Sequence, residues 1–352
     1  MAVTGAENSH AKGMRLMRAL TGERQDPPPW WLMRQAGRYL PEYRDLRARA
    51  GSFLEFCLNP ALAAEATLQP VRRFGMDAAI LFADILLVAK ALGQQLDYGD
   101  DGPRLAEIDT SDLAHLSLVD GASLDPVYET VRLSRASLPP HTALIGFAGA
   151  PWTVATYMVE GGSSRDYRKV RAWGYRDPAG FGALIETLVE ITADYLQNQI
   201  EAGANVIQLF DSWAGVLAES EFERWVIAPT QQIVSRLKQR YPSLPIIGFP
   251  RGAGFLYERY ISETAVDVIG LDTTVPLACA RHLQAQRAVQ GNLDPVALLV
   301  GGNPLESAVR AIRQALGERC FVFNLGHGIL PQTPPEHVAA LARLLAEPLV
   351  TG

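Results

Sequence analysis

Eight short apolar runs recur along the chain, and longer segments with helical periodicity separate them. Each run is continuous rather than alternating and is bounded by glycine, proline, aspartate or asparagine, which is typical of strands buried on both faces of a parallel sheet. The eight predicted strands are residues 30–33, 78–82, 143–147, 206–210, 246–249, 268–272, 288–292 and 321–325.

Helical patterns fill the intervals between these runs. Several begin with proline in the first turn and end at glycine, as helices commonly do. The predicted helices are residues 60–74, 126–138, 181–202, 220–240, 255–262, 277–285, 304–316 and 335–345. Eight strands alternating with helices predict a single (β/α)8 TIM-type barrel of the α/β class, and strand counting leaves an open doubly wound sheet as the alternative.

The predicted domain organisation is one catalytic barrel domain over residues 26–350, preceded by a tail and lead-in over residues 1–25. Residues 1–13 contain no apolar core segment, so we expect a frayed tail and not a signal peptide. The interval 84–124 is irregular, and its portion 95–105 is predicted to form a hairpin or excursion.

Composition narrows the possible functions. Hydrophobic residues make up 48% and charged residues 20%, which is ordinary for a soluble globular protein. No apolar run reaches the roughly 18 residues that a membrane span needs. The net charge of −6 disfavours nucleic acid as a partner. The 3 cysteines are odd in number and widely separated, which predicts a reducing compartment, the cytoplasm.

A cluster of arginines follows the first predicted strand of this acidic chain. Within sixteen positions it contains Arg34, Arg38, Arg44, Arg47 and Arg49. Arg34 and Arg38 are four positions apart, so both would leave the same face if the segment were helical. Guanidinium groups bind carboxylates and phosphates in bidentate fashion, so the cluster predicts a site for a polyanion. The alternative is a solvated helix face with weak surface ion pairs.

In a (β/α)8 barrel, functional side chains lie just after the strands, at the carboxyl ends. The side chains at these positions are Arg34, Arg38, Asp84, Tyr157, Ser212, Arg251, Asp272, Asn292, Asp294 and His327. Asp84 lies in the apolar sequence LFADILL, so a buried charge there must be paired or hydrogen-bonded. A helix N-cap, or a partner for a buried arginine, is the structural alternative for Asp84.

His327 lies between two glycines, which would let the backbone approach a ligand closely, although a lone histidine is more often structural. Tyr157 could pack or could bind a ligand. Ser212 has no histidine at nucleophile-elbow spacing, which disfavours a serine hydrolase. The sequence contains no Walker A motif, no GxGxxG after a strand, no CxxC and no HExxH, so we expect a site without metal or cofactor.

The motifs of the chain resemble those of the uroporphyrinogen decarboxylase family. PPWWLMRQAGRYLPEYR resembles the N-terminal signature of that family, and GFAGAPWTVATYMVEGGSS resembles its second signature. LFADILLVAKALG, QLFDSWAG, GLDTTVPL, QGNLDP and FNLGHGI follow in the order of the family. GLDTTVPL differs from the commoner wording after Asp272. The resemblance covers the chain from about Trp30 to the last helix.

The resemblance implies a somewhat distorted (β/α)8 barrel, a homodimer, and decarboxylation of the four acetate side chains of uroporphyrinogen III to give coproporphyrinogen III. The implied catalytic residues are Asp84, Arg34 and Arg38. The implied substrate-binding residues are Arg34, Arg38, Arg47, Asp84, Tyr157, Ser212 and His327. Such a site needs no cofactor and no metal, and its partner is a tetrapyrrole with several carboxylates. An arginine, water held by Arg34, and Asp84 in its protonated form are the alternatives for the proton donor, although a guanidinium is a very weak acid.

Two other functions are alternatives to decarboxylation. A cobalamin-linked methyltransferase would need zinc held by a His-x-Cys pair and a later cysteine, and no cysteine here lies two residues from a histidine. A non-catalytic tetrapyrrole carrier would use the arginines for binding alone. Asp84 in an apolar setting argues against a carrier, because an extra buried negative charge does not help to hold a polyanion.

Overall fold

A strictly sequential parallel sheet forms the centre of the protein. The computed structural model describes residues 14–99, 102–108, 113, 116 and 122–348. Seven of the strands form one parallel sheet in the order β1-β4-β5-β6-β7-β8-β9, and the other two form an antiparallel hairpin. The strands are β1 (Ala78–Ile80), β2 (Leu96–Gly99), β3 (Gly102–Leu105), β4 (Ala143–Gly149), β5 (Val206–Asp211), β6 (Ile246–Pro250), β7 (Val268–Gly270), β8 (Ala288–Leu293) and β9 (Phe321–Leu325).

Residues 29–31, the closing segment, complete the barrel. Trp30 forms a parallel bridge with Phe323 of β9, and the Phe323 N–H donates to the Pro29 carbonyl at 2.9 Å. On the other side, the Asp77 N–H, one residue before β1, donates to the Trp30 carbonyl at 3.0 Å. The closing segment therefore lies between β9 and β1 as the first of eight parallel elements. The (β/α)8 prediction is confirmed, and the open doubly wound alternative is wrong because its strand order would reverse.

The predicted strand at 30–33 is reduced to one bridge. Beyond Trp31 the chain leaves the barrel, because the Met33 N–H bonds to the Asn324 side chain at 3.0 Å rather than to a neighbouring strand. Gln35 then ties the turn to β1 by donating to the Ala78 carbonyl at 3.1 Å. The shortened first strand is the main distortion of the barrel.

Helices cover the outside of the barrel, and the eight predicted helices are found within a few residues of their expected bounds. Helices that the sequence analysis did not predict include α2, α7 and α8. The helices are α1 (Arg15–Leu20), α2 (Pro41–Ala48), α3 (Phe53–Cys57), α4 (Pro60–Phe74), α5 (Leu87–Ala91), α6 (Asp125–Ser137), α7 (Pro151–Glu160), α8 (Arg168–Arg176), α9 (Pro178–Glu201), α10 (Glu219–Phe222), α11 (Ala228–Arg240), α12 (Tyr257–Thr264), α13 (Leu277–Gln284), α14 (Pro295–Val300), α15 (Gly302–Leu316) and α16 (Pro335–Ala346). A π-helical turn (Glu223–Ile227) joins α10 to α11, and 3₁₀ turns occupy Ala214–Val216 and Gly254–Leu256.

The structure describes only part of the lead-in (residues 1–25) and of the irregular interval 84–124. The frayed tail expected for residues 1–13 lies outside the described residues. Helix α1 follows, and it contacts β9 through a buried face that includes Leu16. The hairpin predicted within 95–105 is confirmed as β2 and β3, with Leu96 opposite Leu105. Residues 109–112, 114–115 and 117–121 of the excursion lie outside the described part of the chain.

A polar chain crosses the barrel interior below the carboxyl ends of the strands. The Trp31 indole donates to the Gln290 side chain at 2.9 Å, and Gln290 donates to Gln208 at 3.1 Å. All three side chains are buried. Side chains therefore fill the barrel as a packed core, and a ligand can enter only from the ends of the strands.

Candidate active site

A cavity of about 380 Å³ opens at the carboxyl ends of the barrel strands. Six of the predicted site residues line it together: Arg34, Arg38, Asp84, Tyr157, Ser212 and His327. They follow the closing segment, β1, β4, β5 and β9 along the chain, so residues up to 293 positions apart in the sequence meet in one place.

The two arginines reach the cavity from a turn, not from a helix. The condition for a shared helical face is not met, because Arg34 has a φ of 62°, in the left-handed region, and helix α2 begins only at Pro41. Within the described chain, neither guanidinium forms an ion pair with a carboxylate. Both arginines are exposed and both line the cavity, so two uncompensated positive charges face an incoming anion.

The glycines beside His327 make room for protein, which differs from the expected approach to a ligand. A Cβ on Gly328 would lie 2.4 Å from Cδ of Arg34. A Cβ on Gly326 would lie 2.3 Å from the Thr273 backbone nitrogen. Any side chain at these two positions would collide with its neighbours, so the glycines position Arg34 and the loop after β7.

Asp84 provides the carboxylate of the cavity. Its Oδ1 accepts a hydrogen bond from the Leu86 N–H at 2.8 Å, in the turn that leads into α5. This bond closes a local turn through Oδ1, and it is not the helix N-cap suggested as a structural alternative, because the N-cap residue of α5 is Leu86 and has no side-chain cap. Burial raises the pKa of Asp84, whereas the Tyr98 phenol, the Leu86 N–H and the Arg34 charge lower it.

Sequence reasoning missed Tyr98 on strand β2. Its ring packs edge-on against Phe53 with the centroids 4.8 Å apart. Its buried hydroxyl lies against Asp84, and it forms no hydrogen bond of normal geometry with any described residue. Only the fold of the β2–β3 hairpin over the barrel mouth brings Tyr98 here, so no local sequence signal identified it.

His327 is neutral in the cavity. Burial, together with the charges of Arg251 and Arg34, lowers its pKa to about 4, while the charge of Asp272 opposes this shift. Nδ1 accepts from the Gly328 N–H at 2.7 Å, which places the ring proton on Nε2. At neutral pH His327 therefore offers one N–H donor and no charge.

Tyr157 and Ser212 lie on the wall formed after β4 and β5. Tyr157 is on α7, and its ring lies 6.0 Å from that of Trp213. Burial raises the pKa of Tyr157, and the negative charge of Asp84 raises it further. The phenol thus stays protonated and can donate a hydrogen bond. The half-buried Ser212 precedes Trp213 and adds a hydroxyl group to the same wall.

Arg47 does not line the cavity. It lies on α2, where its guanidinium donates to the Ala50 carbonyl at 3.1 Å. Its charge lowers the pKa of Tyr43, although burial of that ring raises the pKa more strongly. Since Tyr43 does line the cavity, Arg47 stands one layer behind the lining.

Three phenylalanines form the apolar part of the wall, and sequence reasoning did not assign them to the site. Phe147, Phe210 and Phe249 lie near the ends of β4, β5 and β6 and line the cavity. Their rings pack edge to face at centroid distances of 5.6 Å and 6.1 Å. The signal was present, because the predicted strands 143–147, 206–210 and 246–249 each end on one of these residues. They offer a flat ligand an apolar, aromatic surface.

Other residues at strand ends hold loops together. Each oxygen of Asp272 accepts two hydrogen bonds, from Gly252 and Tyr257 on one side and from Thr274 twice on the other. Asn292 donates to the carbonyls of Asp272 and Val275. Asp294 caps α14 through the Val296 N–H at 2.8 Å. These groups stabilise the rim and do not line the cavity.

The described residues contain no group of three or more His, Cys, Asp or Glu side chains arranged to hold a metal ion. None of their helices is both long enough and apolar enough to cross a bilayer.

The fold and the cavity together define a (β/α)8-barrel protein with a cationic, aromatic-walled site at the carboxyl end of its barrel. The comparisons with known proteins make this class specific: the chain belongs to the uroporphyrinogen decarboxylase family, whose sequence model, described as uroporphyrinogen decarboxylase (URO-D), matches residues 11–347.

Curated relatives match over almost their full length. Proteins named uroporphyrinogen decarboxylase are 58% identical in Rhizorhabdus wittichii, over 93% of this chain and 95% of that protein, and 53% identical in Chelativorans sp., over 95% of this chain and 98% of that protein. Among solved structures, a methyltransferase from Methanosarcina mazei has a TM-score of 0.78 and 21% identity, covering 94% of this chain and 97% of its own. At that identity the likeness concerns the fold alone.

Proposed function

We propose that this protein is a decarboxylase of porphyrin biosynthesis that converts the four acetate side chains of uroporphyrinogen III to methyl groups and yields coproporphyrinogen III. The observation that carries the proposal is the cavity itself. Two arginines without ion pairs, an isolated carboxylate and three aromatic rings converge there, in a chain that belongs to the uroporphyrinogen decarboxylase family.

The arginines capture the substrate. Uroporphyrinogen carries eight carboxylates, and Arg34 and Arg38 present guanidinium groups that no described carboxylate neutralises. Hydrogen bonds between such charged groups are worth roughly 1.5–3 kcal/mol each. The rings of Phe147, Phe210 and Phe249 then contact the apolar faces of the pyrroles. The arginines thus hold one edge of the macrocycle by charge, and the aromatic rings contact its face.

Decarboxylation needs an acceptor for one electron pair. The bond between the acetate methylene carbon and the carboxyl carbon breaks, CO2 leaves, and the bonding pair must move to an acceptor. A pyrrole protonated on a ring carbon is a cation and takes up this pair, which gives a neutral exocyclic methylene. A second proton then converts the methylene to a methyl group while the ring carbon loses its proton. The balance is one proton consumed and one CO2 released for each acetate.

Asp84 stabilises the cation. The carboxylate lies in a partly apolar cavity, and Oδ2 is not engaged by the local turn. Facing the pyrrole N–H groups, it would accept hydrogen bonds that strengthen as positive charge develops on the ring. Its raised pKa also makes the protonated form of Asp84 a better proton source than a guanidinium, which is a very weak acid. Water held by Arg34 is the other source of the proton.

The neutral polar groups position the reacting side chain. His327 donates through Nε2, and Tyr157 and Ser212 donate through their hydroxyl groups, so all three can bind the carboxylates of the substrate without adding charge. Arg47, which stands behind the lining, contributes to the positive field around Tyr43 and would act on the substrate through that field.

Turnover by the purified protein tests the proposal. Metal-stripped protein is incubated anaerobically with uroporphyrinogen III, the porphyrinogens are oxidised, and the products are separated by their number of carboxyl groups. We expect products with seven, six, five and four carboxyl groups without any added cofactor. Substrate that is bound but unchanged would instead indicate a tetrapyrrole carrier.

We also propose a homodimer in the cytoplasm. The large apolar side chain of Phe255 is fully exposed in the turn after β6, at the same end of the barrel as the cavity, and it supports an interface on that face. Three free cysteines, two of them not buried, fit a reducing compartment. Sedimentation should give a dimer that Phe255→Ser weakens. A monomer at micromolar concentration would contradict this assembly.

A further inference from the structure

Arg251 is the one strand-end arginine that the proposed site has not used. It lies directly after β6 and is half-buried. Among the residues that the structure describes, no carboxylate lies within ion-pair distance of its guanidinium. The nearest acidic residue on the next strand, Asp272, already accepts four hydrogen bonds. A half-buried arginine without an ion pair is available to an anion from outside the chain.

The backbone holds Arg251 rigidly. Its N–H donates to the Asp211 carbonyl at 3.0 Å, and its carbonyl accepts from the Gly215 N–H at 3.0 Å. The loops are in such close contact that a Cβ on Gly215 would lie 2.3 Å from the Gly252 carbonyl oxygen. The backbone from which the Arg251 side chain projects is therefore fixed before any ligand arrives, which lowers the cost of ordering that side chain on a bound anion.

The barrel order places Arg251 across the mouth from the other two arginines. The closing segment is the first of the eight elements around the barrel, and β6 is the fifth, so they lie diametrically opposite each other. The charge of Arg251 acts on His327, which lines the cavity, and on Tyr167, whose ring packs 5.1 Å from that of Trp213 on the wall. Arg251 itself is not among the residues that line the cavity, so it would reach a bound carboxylate from the rim of the mouth.

A macrocycle carries its carboxylates around the whole perimeter. Cations on one side alone would hold one edge and leave the opposite edge free to tilt. We propose that Arg251 is a further substrate-binding residue, which holds a carboxylate of the tetrapyrrole on the side opposite Arg34 and Arg38. This inference rests on the proposed decarboxylase function and adds a second anchoring point, which fixes the plane of the ring over the phenylalanine wall.

The test compares three variants under the anaerobic turnover assay. Arg251→Gln removes the charge, Arg251→Lys keeps the charge without the planar fork, and Arg287→Gln removes an equivalent charge from an exposed position just before β8, at the other end of the barrel. We expect Arg251→Gln to raise KM for uroporphyrinogen III roughly tenfold to hundredfold, with a smaller change in kcat. Arg251→Lys should show a smaller rise in KM, and Arg287→Gln should behave like the native protein.

The outcomes separate this inference from the proposed function. A native protein without turnover would overturn the proposed function and this inference with it. An active native protein, together with a KM in both Arg251 variants that matches that of Arg287→Gln, would overturn the inference alone. A fall in kcat at unchanged KM would also overturn it, because the residue would then act on the chemistry and not on binding. Circular dichroism checks that each variant is folded, and Arg251→Lys decides the matter if Arg251→Gln does not fold.

Discussion

Replacing Asp84 with asparagine should separate chemistry from binding. The substitution keeps the size of the side chain and an oxygen that can accept from the Leu86 N–H, so the turn before α5 should persist. What it removes is the negative charge opposite the cationic pyrrole. At a separation of about 4 Å and an effective dielectric constant of about 20, a pair of unit charges is worth roughly 4 kcal/mol. That energy corresponds to a loss of about 10³-fold in kcat.

The stability of Asp84→Asn should not fall together with its activity. Burial raises the pKa of Asp84 in the folded protein. A carboxyl group with a raised pKa contributes stability only at low pH, and this contribution is lost as the pH rises through the folded pKa. At neutral pH the ionised carboxylate is therefore a cost to the fold. Asp84→Asn should unfold at the same temperature as the native protein or at a higher one.

The assay measures kcat, the affinity for coproporphyrinogen and thermal unfolding in parallel. Asp45→Asn is the matched control, since Asp45 is an exposed residue of α2 outside the cavity lining, and it should change none of the three. Near-native kcat in a folded Asp84→Asn protein would refute the stabilising role of Asp84. Loss of product binding together with kcat would show instead that Asp84 serves the architecture of the cavity.

Three other substitutions test separate parts of the site. Gly328→Ala should displace the Arg34 side chain, because the new Cβ would lie 2.4 Å from Arg34 Cδ. We expect KM to rise roughly tenfold in the turnover assay while the protein stays folded. An unchanged KM would contradict the role of Gly328 in positioning Arg34. Tyr98→Phe removes a group that lowers the pKa of Asp84, so the acid limb of kcat/KM against pH should move to higher pH, and an unmoved limb would exclude Tyr98. Burial raises the pKa of Asp211 to about 7, so the contribution of Asp211 to stability should be lost as the pH rises from about 4 to 7. Asp211→Asn should make the free energy of unfolding depend less on pH across that range. A pH dependence parallel to that of the native protein would contradict the raised pKa of Asp211.

Much of the fold followed from the sequence because parallel barrel strands are buried on both faces. Their apolar runs were readable without any partner, and the run 321–325 became Phe321–Leu325 with the same bounds. The run at 30–33 was harder to interpret. Its hydrophobicity is real, since Trp31 and Leu32 are fully buried, but hydrophobicity does not reveal that the backbone after Trp31 bonds to a side chain instead of a strand.

The site was predictable to the extent that it depends on strand ends. Six of the ten residues expected at strand ends were also implied by the family resemblance, and these six line the cavity. The other four strand-end residues, and Arg47 from the resemblance, do not line it. The conformation of the arginine turn was not predictable, because the left-handed backbone of Arg34 is imposed by tertiary bonds through Gln35 and Asn324. The place of Tyr98 in the site was not predictable either, because it depends on how a two-stranded hairpin folds back over the barrel mouth. Local patterns identify elements, whereas long-range packing decides what those elements bring together.

The barrel framework explains how one cavity can serve a large substrate. Its walls are set by strand ends, and its two lining arginines, Arg34 and Arg38, lie on one side of the mouth. Among the described residues, Asp84 is the one acidic group in the lining, so it is well placed to respond to a positive charge in the middle of the bound ring. Binding at the perimeter and chemistry at the centre are thereby assigned to different residues.

A crystal structure of the protein with coproporphyrinogen bound under anaerobic conditions tests the central claim most directly. The account predicts the macrocycle against Phe147, Phe210 and Phe249, with its pyrrole N–H groups within about 3 Å of the Asp84 carboxylate and its carboxylates on arginines at both sides of the mouth. A macrocycle bound elsewhere, or one whose N–H groups face away from Asp84, would contradict it.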